Sequence, residues 1–153
     1  GGLLLGVQES ECAVFDARKL PEDLQYFSPT LGEDHWDILL NSYSDLSRFF
    51  PKIESANFSS YISGLSSYTP DGEIILGPIA EIDGLYVAAG DCGSGVSLSG
   101  GIGFIISEII LDGKSDLYSS SFKPNRFGKV DPFDEEFLNK CAMARSKKSR
   151  KMK

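Results

Sequence analysis

The stretch that decides the fold is Leu85-Tyr86-Val87-Ala88-Ala89-Gly90-Asp91-Cys92-Gly93-Ser94-Gly95-Val96-Ser97, with the apolar run that follows it to Leu111. Leu85–Ala89 is short, apolar and bounded by glycines, which predicts a strand buried on both faces. Val96, Leu98, Ile102, Phe104, Ile105, Ile106, Ile109 and Ile110 then cover most of the circumference of a helix from about Gly95 to Leu111. Such a helix is expected to be buried on most sides and to end at Asp112-Gly113. Gly100, Gly101 and Gly103 lie inside it, each costing roughly 1 kcal/mol against alanine. Close approach of backbone, another element or a flat ligand explains them most easily.

The turn between strand and helix carries the chemistry. A helix N-terminus leaves N–H groups without acceptors and favours partial negative charge. Gly93, Ser94 and Gly95 are small enough to leave those groups accessible. A phosphate, a carboxylate or an anionic ring edge would each be satisfied there, and a tight turn holding no ligand has the same local chemistry. Gly93-x-Gly95 is followed by Leu98, so the motif is not G-x-G-x-x-G; it is not a P-loop either, having no Gly-Lys-Ser/Thr.

Upstream, Ile82-Asp83-Gly84 and Thr69-Pro70-Asp71-Gly72 are turns by composition. Phe58–Tyr68 and Glu73–Leu76 are expected to pair as a hairpin about the second of these, with Gly77-Pro78 ending it. Asp34–Phe50 reads as an amphipathic helix with Trp36, Leu39, Leu40, Tyr43, Leu46 and Phe50 on one face. Thr30-x-x-Glu33 offers it a capping box and Pro51 a stop. Leu3–Val7 and Leu24–Ser28 are strand candidates, the second an edge strand. Downstream, Lys114–Arg126 is expected to be irregular and to hug the surface, and Asp134–Ala144 to form a last helix. No internal repeat is visible.

With 153 residues, 41% hydrophobic and 24% charged, the chain suits one domain with a real core. Its net charge of −7 is uneven. The last fourteen residues hold Lys140, Arg145, Lys147, Lys148, Arg150, Lys151 and Lys153 and no acid. The body keeps eight basic against 22 acidic residues, about −14. An acidic body argues against nucleic-acid binding, because phosphate contacts need a basic face. The basic end reads as a disordered, solvated tail, with an address or a weak polyanion contact as the alternative. No apolar run reaches the roughly 20 residues of a membrane-spanning helix. Val96–Leu111 is shorter and contains Glu108, so no transmembrane segment is expected. The opening Gly1-Gly2-Leu3-Leu4-Leu5-Gly6 has no basic n-region, lacks an initiator Met and reads as a chain entering mid-structure, as a fragment would.

Cys12, Cys92 and Cys141 are odd in number and far apart, which argues against a disulfide framework or a zinc site and for reduced, intracellular thiols. With a single His, a multi-His metal site is excluded. The turn superficially matches the nucleophile loop of chymotrypsin-like cysteine proteases, where a thiolate needs a His base and an orienting acid. The lone His35 sits in the Asp34-His35-Trp36-Asp37 helix instead of a barrel loop, and the chain lacks the dozen strands of a double barrel. Cys92 therefore reads as a small turn residue and His35 as a helix-surface residue. Asp34, Asp37, Asp45 and Glu54 read as solvated charges.

From Gly64 onward the chain resembles the C-terminal part of the D-amino-acid-oxidase-like flavoproteins, the group of glycine oxidase, sarcosine oxidase and the sarcosine and dimethylglycine dehydrogenases. The resemblance rests on Gly64-Leu65-Ser66-Ser67-Tyr68-Thr69-Pro70-Asp71-Gly72-Glu73-Ile74-Ile75-Leu76-Gly77-Pro78 and on Gly84-Leu85-Tyr86-Val87-Ala88-Ala89-Gly90. It continues through Gly93-Ser94-Gly95, Ser99-Gly100-Gly101-Ile102-Gly103 and Phe122-Lys123-Pro124-Asn125-Arg126-Phe127. Before Gly64 the likeness is looser: Leu3–Val7 matches a strand of the family's substrate-binding sheet, and Asp34–Pro51 its helix ending in Phe-Pro.

The resemblance implies an α+β (α/β) fold, the C-terminal half of a two-domain flavoprotein. Residues 1–63 would be part of the substrate-binding antiparallel sheet with its amphipathic helix. Residues 64–127 would be the hairpin and last strand–glycine turn–helix of the FAD-binding domain, and 128–153 a C-terminal helix and basic tail. Gly93, Ser94, Gly95, Val96 and Ser97 would line the pyrimidine edge of a non-covalently held flavin, where reduced flavin carries negative charge. The family's N-terminal βαβ unit with its G-x-G-x-x-G fingerprint, which holds adenine and pyrophosphate, is absent from these residues and is the implied partner. The implied reaction oxidises a C–N bond of an amine or amino acid by hydride transfer. Gly64 stands where sarcosine oxidases carry the flavin-attaching Cys, and Ser97 where they carry an oxygen-activating Lys, which leans toward a dehydrogenase. Ser66 replaces an Arg that holds the substrate carboxylate in glycine-oxidase-like members, leaving Arg48 or Arg126, both read as surface residues, as substitutes. No catalytic residue is assigned. A non-catalytic remnant acting as a regulatory module is the alternative, and a mitochondrial location follows by analogy with the dehydrogenases.

Overall fold

The computed structural model describes residues 4–6, 14–24, 27, 35–57, 59–60 and 64–150, with the backbone alone at 35–39, 41 and 146–150. Its elements, in chain order, are helix α1 (His35–Phe49), strands β1 (Ile75–Pro78) and β2 (Tyr86–Ala89), helix α2 (Gly95–Asp112) and helix α3 (Glu135–Arg150). Short 3-10 turns occur at Ala17–Lys19 ahead of α1, at Pro51–Ser55 after it and at Ser120–Phe122 between α2 and α3.

β1 and β2 form an antiparallel pair in the register Ile75–Ala89, Leu76–Ala88, Gly77–Val87 and Pro78–Tyr86. The connection is the Ile82-Asp83-Gly84 turn, closed by Leu85 N–H to Ile82 O at 3.2 Å and Ile79 N–H to Leu85 O at 2.9 Å. The hairpin is therefore one turn later than expected. Thr69-Pro70-Asp71-Gly72 does turn the chain, with Gly72 N–H donating to Thr69 O at 3.2 Å. The segment before it is no strand over its described residues, 59–60 and 64–68. That segment is serine-rich, and the backbone bond it makes to the turn, Cys92 N–H to Ser67 O at 3.1 Å, is not part of a ladder.

The core is small. Ile74, Leu76, Ile105 and Ile109 are buried together, and Tyr86, Ile102, Ile106, Tyr118 and Phe122 pack against them. α2 thus lies on β1 through one stripe, with Leu76 at the centre, 1% exposed. Lys114–Arg126, expected on the surface, contributes Tyr118 and Phe122 to this core. The Tyr118 hydroxyl donates to Leu76 O at 3.0 Å, and the ring occupies the space that a side chain at Gly77 would need. Burial raises the Tyr118 hydroxyl's pKa, partly offset by the nearby Arg126 charge.

Other expectations are corrected. α2 is not buried on most sides: Val96 (96%), Leu111 (80%), Phe104 and Ile110 are exposed. Among the described residues, no atom of another element comes within 4 Å of where a Cβ would stand on Gly100, Gly101 or Gly103. The physical reason is that the two-stranded sheet covers only the Ile105–Ile109 side. β2 is likewise not buried on both faces, with Ala88 and Ala89 exposed. By length and composition α2 is the one helix among the described residues apolar enough to be a candidate membrane span. α1 forms where expected and gives way to the 3-10 turn at Pro51, but Leu40, Phe49 and the adjoining Phe50 are exposed, and among the described residues α1 packs mainly on that turn. Its expected capping box lies outside the described residues. Residues 4–6 form no strand and Leu4 is 90% exposed. At Leu24 the chain turns, with Phe27 N–H bonding Leu24 O at 3.2 Å, where an edge strand was expected. α3 runs to Arg150 and so carries a helical backbone through most of the basic stretch expected to be a disordered tail. Lys, Arg, Met and Ala are strong helix formers, which outweighs the like-charge repulsion.

Candidate functional site: the glycine turn and the network behind it

After β2 the chain reverses through Gly90 and Gly93, both with positive φ, and through Cys92, whose φ of 54° is the one left-handed value at a non-glycine residue among those described. Such a residue costs roughly 1–2 kcal/mol, so something must hold it. Cys92 is 3% exposed. Its thiol donates to Gly90 O at 3.2 Å and sits 3.5 Å from Thr69 Oγ1, and its N–H reaches Ser67 O. A thiol so enclosed and hydrogen-bonded is a clamp for the turn. The nucleophile reading fails on this burial, and the described residues hold a two-stranded sheet where a protease would need barrels.

Ser94 is the N-cap of α2 and makes no side-chain capping bond. The N–H groups of Gly95, Val96 and Ser97 belong to the first turn, which has no intrahelical acceptor for them. The Ser97 hydroxyl turns back to Ser94 O at 2.9 Å, and Val96 and Ser97 are exposed. The five residues singled out from the sequence, Gly93 to Ser97, therefore form one contiguous, open helix start. Asp91 lies beside it. Its Oδ1 accepts from Gly93 N–H at 3.3 Å, and its Oδ2 fills the place of a side chain at Gly95. The arrangement can receive an oxygen or nitrogen edge of partial negative charge through backbone donors.

Behind the turn stands a network that spacing did not reveal. Arg126, its side chain 9% exposed, forms a bidentate ion pair with Asp71: Nε to Oδ2 at 2.8 Å and Nη2 to Oδ1 at 3.0 Å. Nη2 also donates to Glu73 O at 2.7 Å, and Nη1 to Phe122 O and Lys123 O at 3.4 and 3.3 Å. The guanidinium lies 4.3 Å from the Phe127 ring centroid. Arg126 is thus no surface residue, and its commitments leave it no donor for a substrate carboxylate. Asp71 Oδ1 accepts in addition from Thr69 Oγ1 at 3.0 Å and Glu73 N–H at 3.1 Å. Partial burial pushes the Asp71 carboxyl up, but the bonds from Arg126, Glu73 and Thr69 outweigh it and hold the group below the ordinary aspartate value. Both partners stand in motifs quoted above, 55 residues apart; nothing in a single sequence pairs them.

Gly64 and Ser66 are exposed and lie on the extended segment leading to this network, and Arg48 is exposed at the end of α1. The side chain of His35 lies outside the described residues. Among the described residues no cluster of His, Cys, Asp and Glu could hold a metal.

Comparison with known proteins gives this geometry a family. The chain is similar to 4-methylaminobutanoate oxidase (formaldehyde-forming) of Paenarthrobacter nicotinovorans, 27% identical over 83% of this chain and 15% of that one. It is similar to human mitochondrial dimethylglycine dehydrogenase, 28% identical over 84% of this chain and 15% of that one. It is also similar to the mouse mitochondrial pyruvate dehydrogenase phosphatase regulatory subunit, 30% identical over 85% of this chain and 14% of that one. It spans about one seventh of the length of these relatives. No solved structure matches. The family model for FAD dependent oxidoreductases (DAO) matches residues 1–109, well over half of the sequence. The chain belongs to the DAO family of FAD-dependent oxidoreductases.

Proposed function

We propose that this chain supplies the C-terminal part of an enzyme that oxidises a C–N bond of an amine or amino acid by hydride transfer to non-covalently held FAD. The observation that carries the reading is the start of α2 on its glycine turn, where Ser94 makes no side-chain capping bond and Gly93, Val96 and Ser97 are exposed, in a chain of this family. The residues fit one edge of the cofactor. Gly93, Ser94, Gly95, Val96 and Ser97 would meet the pyrimidine edge of the flavin with backbone donors and the positive end of the helix dipole. When bound, the flavin supplies the two-electron acceptor. The chain's own part is to hold and polarise that edge. Gly64 in place of a Cys supports non-covalent attachment, and Ser97 in place of a Lys supports a dehydrogenase.

The unit holding adenine and pyrophosphate would come from a dinucleotide-binding part of the protein outside these residues, and would cover the exposed face of α2. On this reading the span-like composition of α2 is that of a core helix, and the divisions 1–63, 64–127 and 128–153 follow the family's layout. The relatives named dimethylglycine dehydrogenase and 4-methylaminobutanoate oxidase favour an N-methylated amine as substrate. Two of the three relatives named above are called mitochondrial, which supports an intracellular, mitochondrial location.

The test is the flavin midpoint potential of the intact protein and of Ser97→Asp. An added carboxylate at the helix start should lower the potential by about 30 mV or more, the equivalent of roughly 1.4 kcal/mol for a two-electron couple. An unchanged potential removes the helix start from the flavin. A second reading is a regulatory module that has lost turnover, favoured by the regulatory-subunit relative and by serine at positions 66 and 97. It predicts that no amine reduces the flavin.

A further inference from the structure

Arg126 has five N–H donors, and each has an acceptor: two on Asp71 and three on the carbonyls of Glu73, Phe122 and Lys123. A surface ion pair is worth little, but this guanidinium is almost enclosed and ties its own stretch, Phe122–Phe127, to the Asp71–Glu73 turn some fifty residues earlier. Its acceptor Asp71 bonds the Thr69 hydroxyl. Thr69 is 4% exposed, its one hydroxyl proton is shared between Glu73 O at 2.7 Å and Asp71 Oδ1 at 3.0 Å, and its oxygen touches the Cys92 thiol. Its methyl group stands 2.7 Å from where a Cβ would be on Gly90. A continuous path of polar contacts thus runs from Arg126 through Asp71 and Thr69 to Cys92, the left-handed residue of the turn that opens α2.

We infer that Arg126 is a positioning residue: through Asp71 and Thr69 it sets the geometry of the Gly90–Gly95 turn, and hence the aim of the α2 N–H donors, without itself meeting cofactor or substrate. The inference rests on the flavin reading above for its functional consequence, while the mechanical link stands on the contacts alone. It accounts for a buried arginine in a part of the chain that otherwise holds only a few core side chains. It also assigns Asp71 and Thr69 as the relay.

Two variants of the intact protein test it. Arg126→Gln removes the donor cluster. Thr69→Val keeps volume and the Arg126–Asp71 pair but cuts the relay, and it guards against a simple folding defect. Amide hydrogen exchange is read at Cys92, Ser94 and Leu98, whose N–H groups bond Ser67 O, Asp91 O and Ser94 O, alongside the visible circular dichroism of the flavin. In both variants these three amides should exchange at least tenfold faster while those of β1 and β2 keep their rates, and the flavin signal should change shape. Unchanged exchange in Thr69→Val, or a rise spread evenly over β1 and β2, overturns the inference. A protein that takes up no FAD overturns the flavin reading instead, and the exchange data then still decide the mechanical link. Wild-type flavin spectra in both variants, with the exchange accelerated, overturn the functional consequence.

Discussion

Replacing Gly90 by alanine isolates the joint on which the glycine turn depends. Gly90 has φ 64°, where an L-residue costs roughly 1–2 kcal/mol. The new Cβ would lie 2.7 Å from Thr69 Cγ2, well inside contact distance. Thr69 has little freedom to move aside, because its hydroxyl is held by Glu73 O and Asp71 Oδ1 and the residue is buried. Overpacking of this kind costs about 1–3 kcal/mol. The expected loss is therefore about 2–5 kcal/mol, read as a shift of the urea-unfolding midpoint of the intact protein at unchanged slope. The two parts separate in a double-mutant cycle. Thr69→Ser removes Cγ2 and keeps the hydroxyl, so Gly90→Ala in that background should cost about 1–2 kcal/mol, the conformational part alone. A cost below about 0.5 kcal/mol in the wild-type background, or one that Thr69→Ser leaves unchanged, refutes the packing argument.

Leu76→Ala empties the centre of the core, at a β1 residue 1% exposed and packed with Ile105 and Ile109 of α2, and should cost about 2–5 kcal/mol by the same unfolding assay. The Asp71–Arg126 pair gives a signed pH dependence. The folded-state pKa of Asp71 is lowered, so its contribution is present above the ordinary aspartate value of about 3.9 and fades as pH falls through the lower folded value. The stability difference between wild type and Asp71→Asn should accordingly be larger at neutral pH than in strong acid; because the Asp71 side chain is 39% exposed, solvent screening keeps it modest. A difference that grows in acid contradicts the pairing.

What the sequence made legible was local. The helix over Asp34–Phe50, the turns at Thr69-Pro70-Asp71-Gly72 and Ile82-Asp83-Gly84, and the start of α2 after Gly95 rest on spacing and turn chemistry within a few residues. Pairing was not legible. The serine-rich Phe58–Tyr68 was expected to pair with the strand after Gly72, but Tyr86–Ala89, brought back by the short Ile82-Asp83-Gly84 turn, takes that place. Burial failed for a related reason. Periodicity reports that α2 and α1 are apolar, but Val96, Phe104, Leu111, Leu40 and Phe50 stay exposed because no described element lies opposite them.

The helix start was legible as chemistry, and Gly93 to Ser97 do fall together. Its support was not: Arg126 and Asp71 are 55 residues apart, and Arg126 reads from composition as one more surface charge. Cys92 shows the same limit. Its flanking glycines announce a turn, yet only the fold shows that its thiol is turned inward to Gly90 O and Thr69.

The central claim is that this glycine turn serves a flavin that accepts a hydride from an amine. Its most direct measurement is the visible absorption of the purified intact protein, recorded without oxygen before and after adding an N-methylated amine such as dimethylglycine. The account predicts a yellow protein whose flavin band bleaches on adding the amine. A colourless protein that cannot be reconstituted with FAD contradicts it.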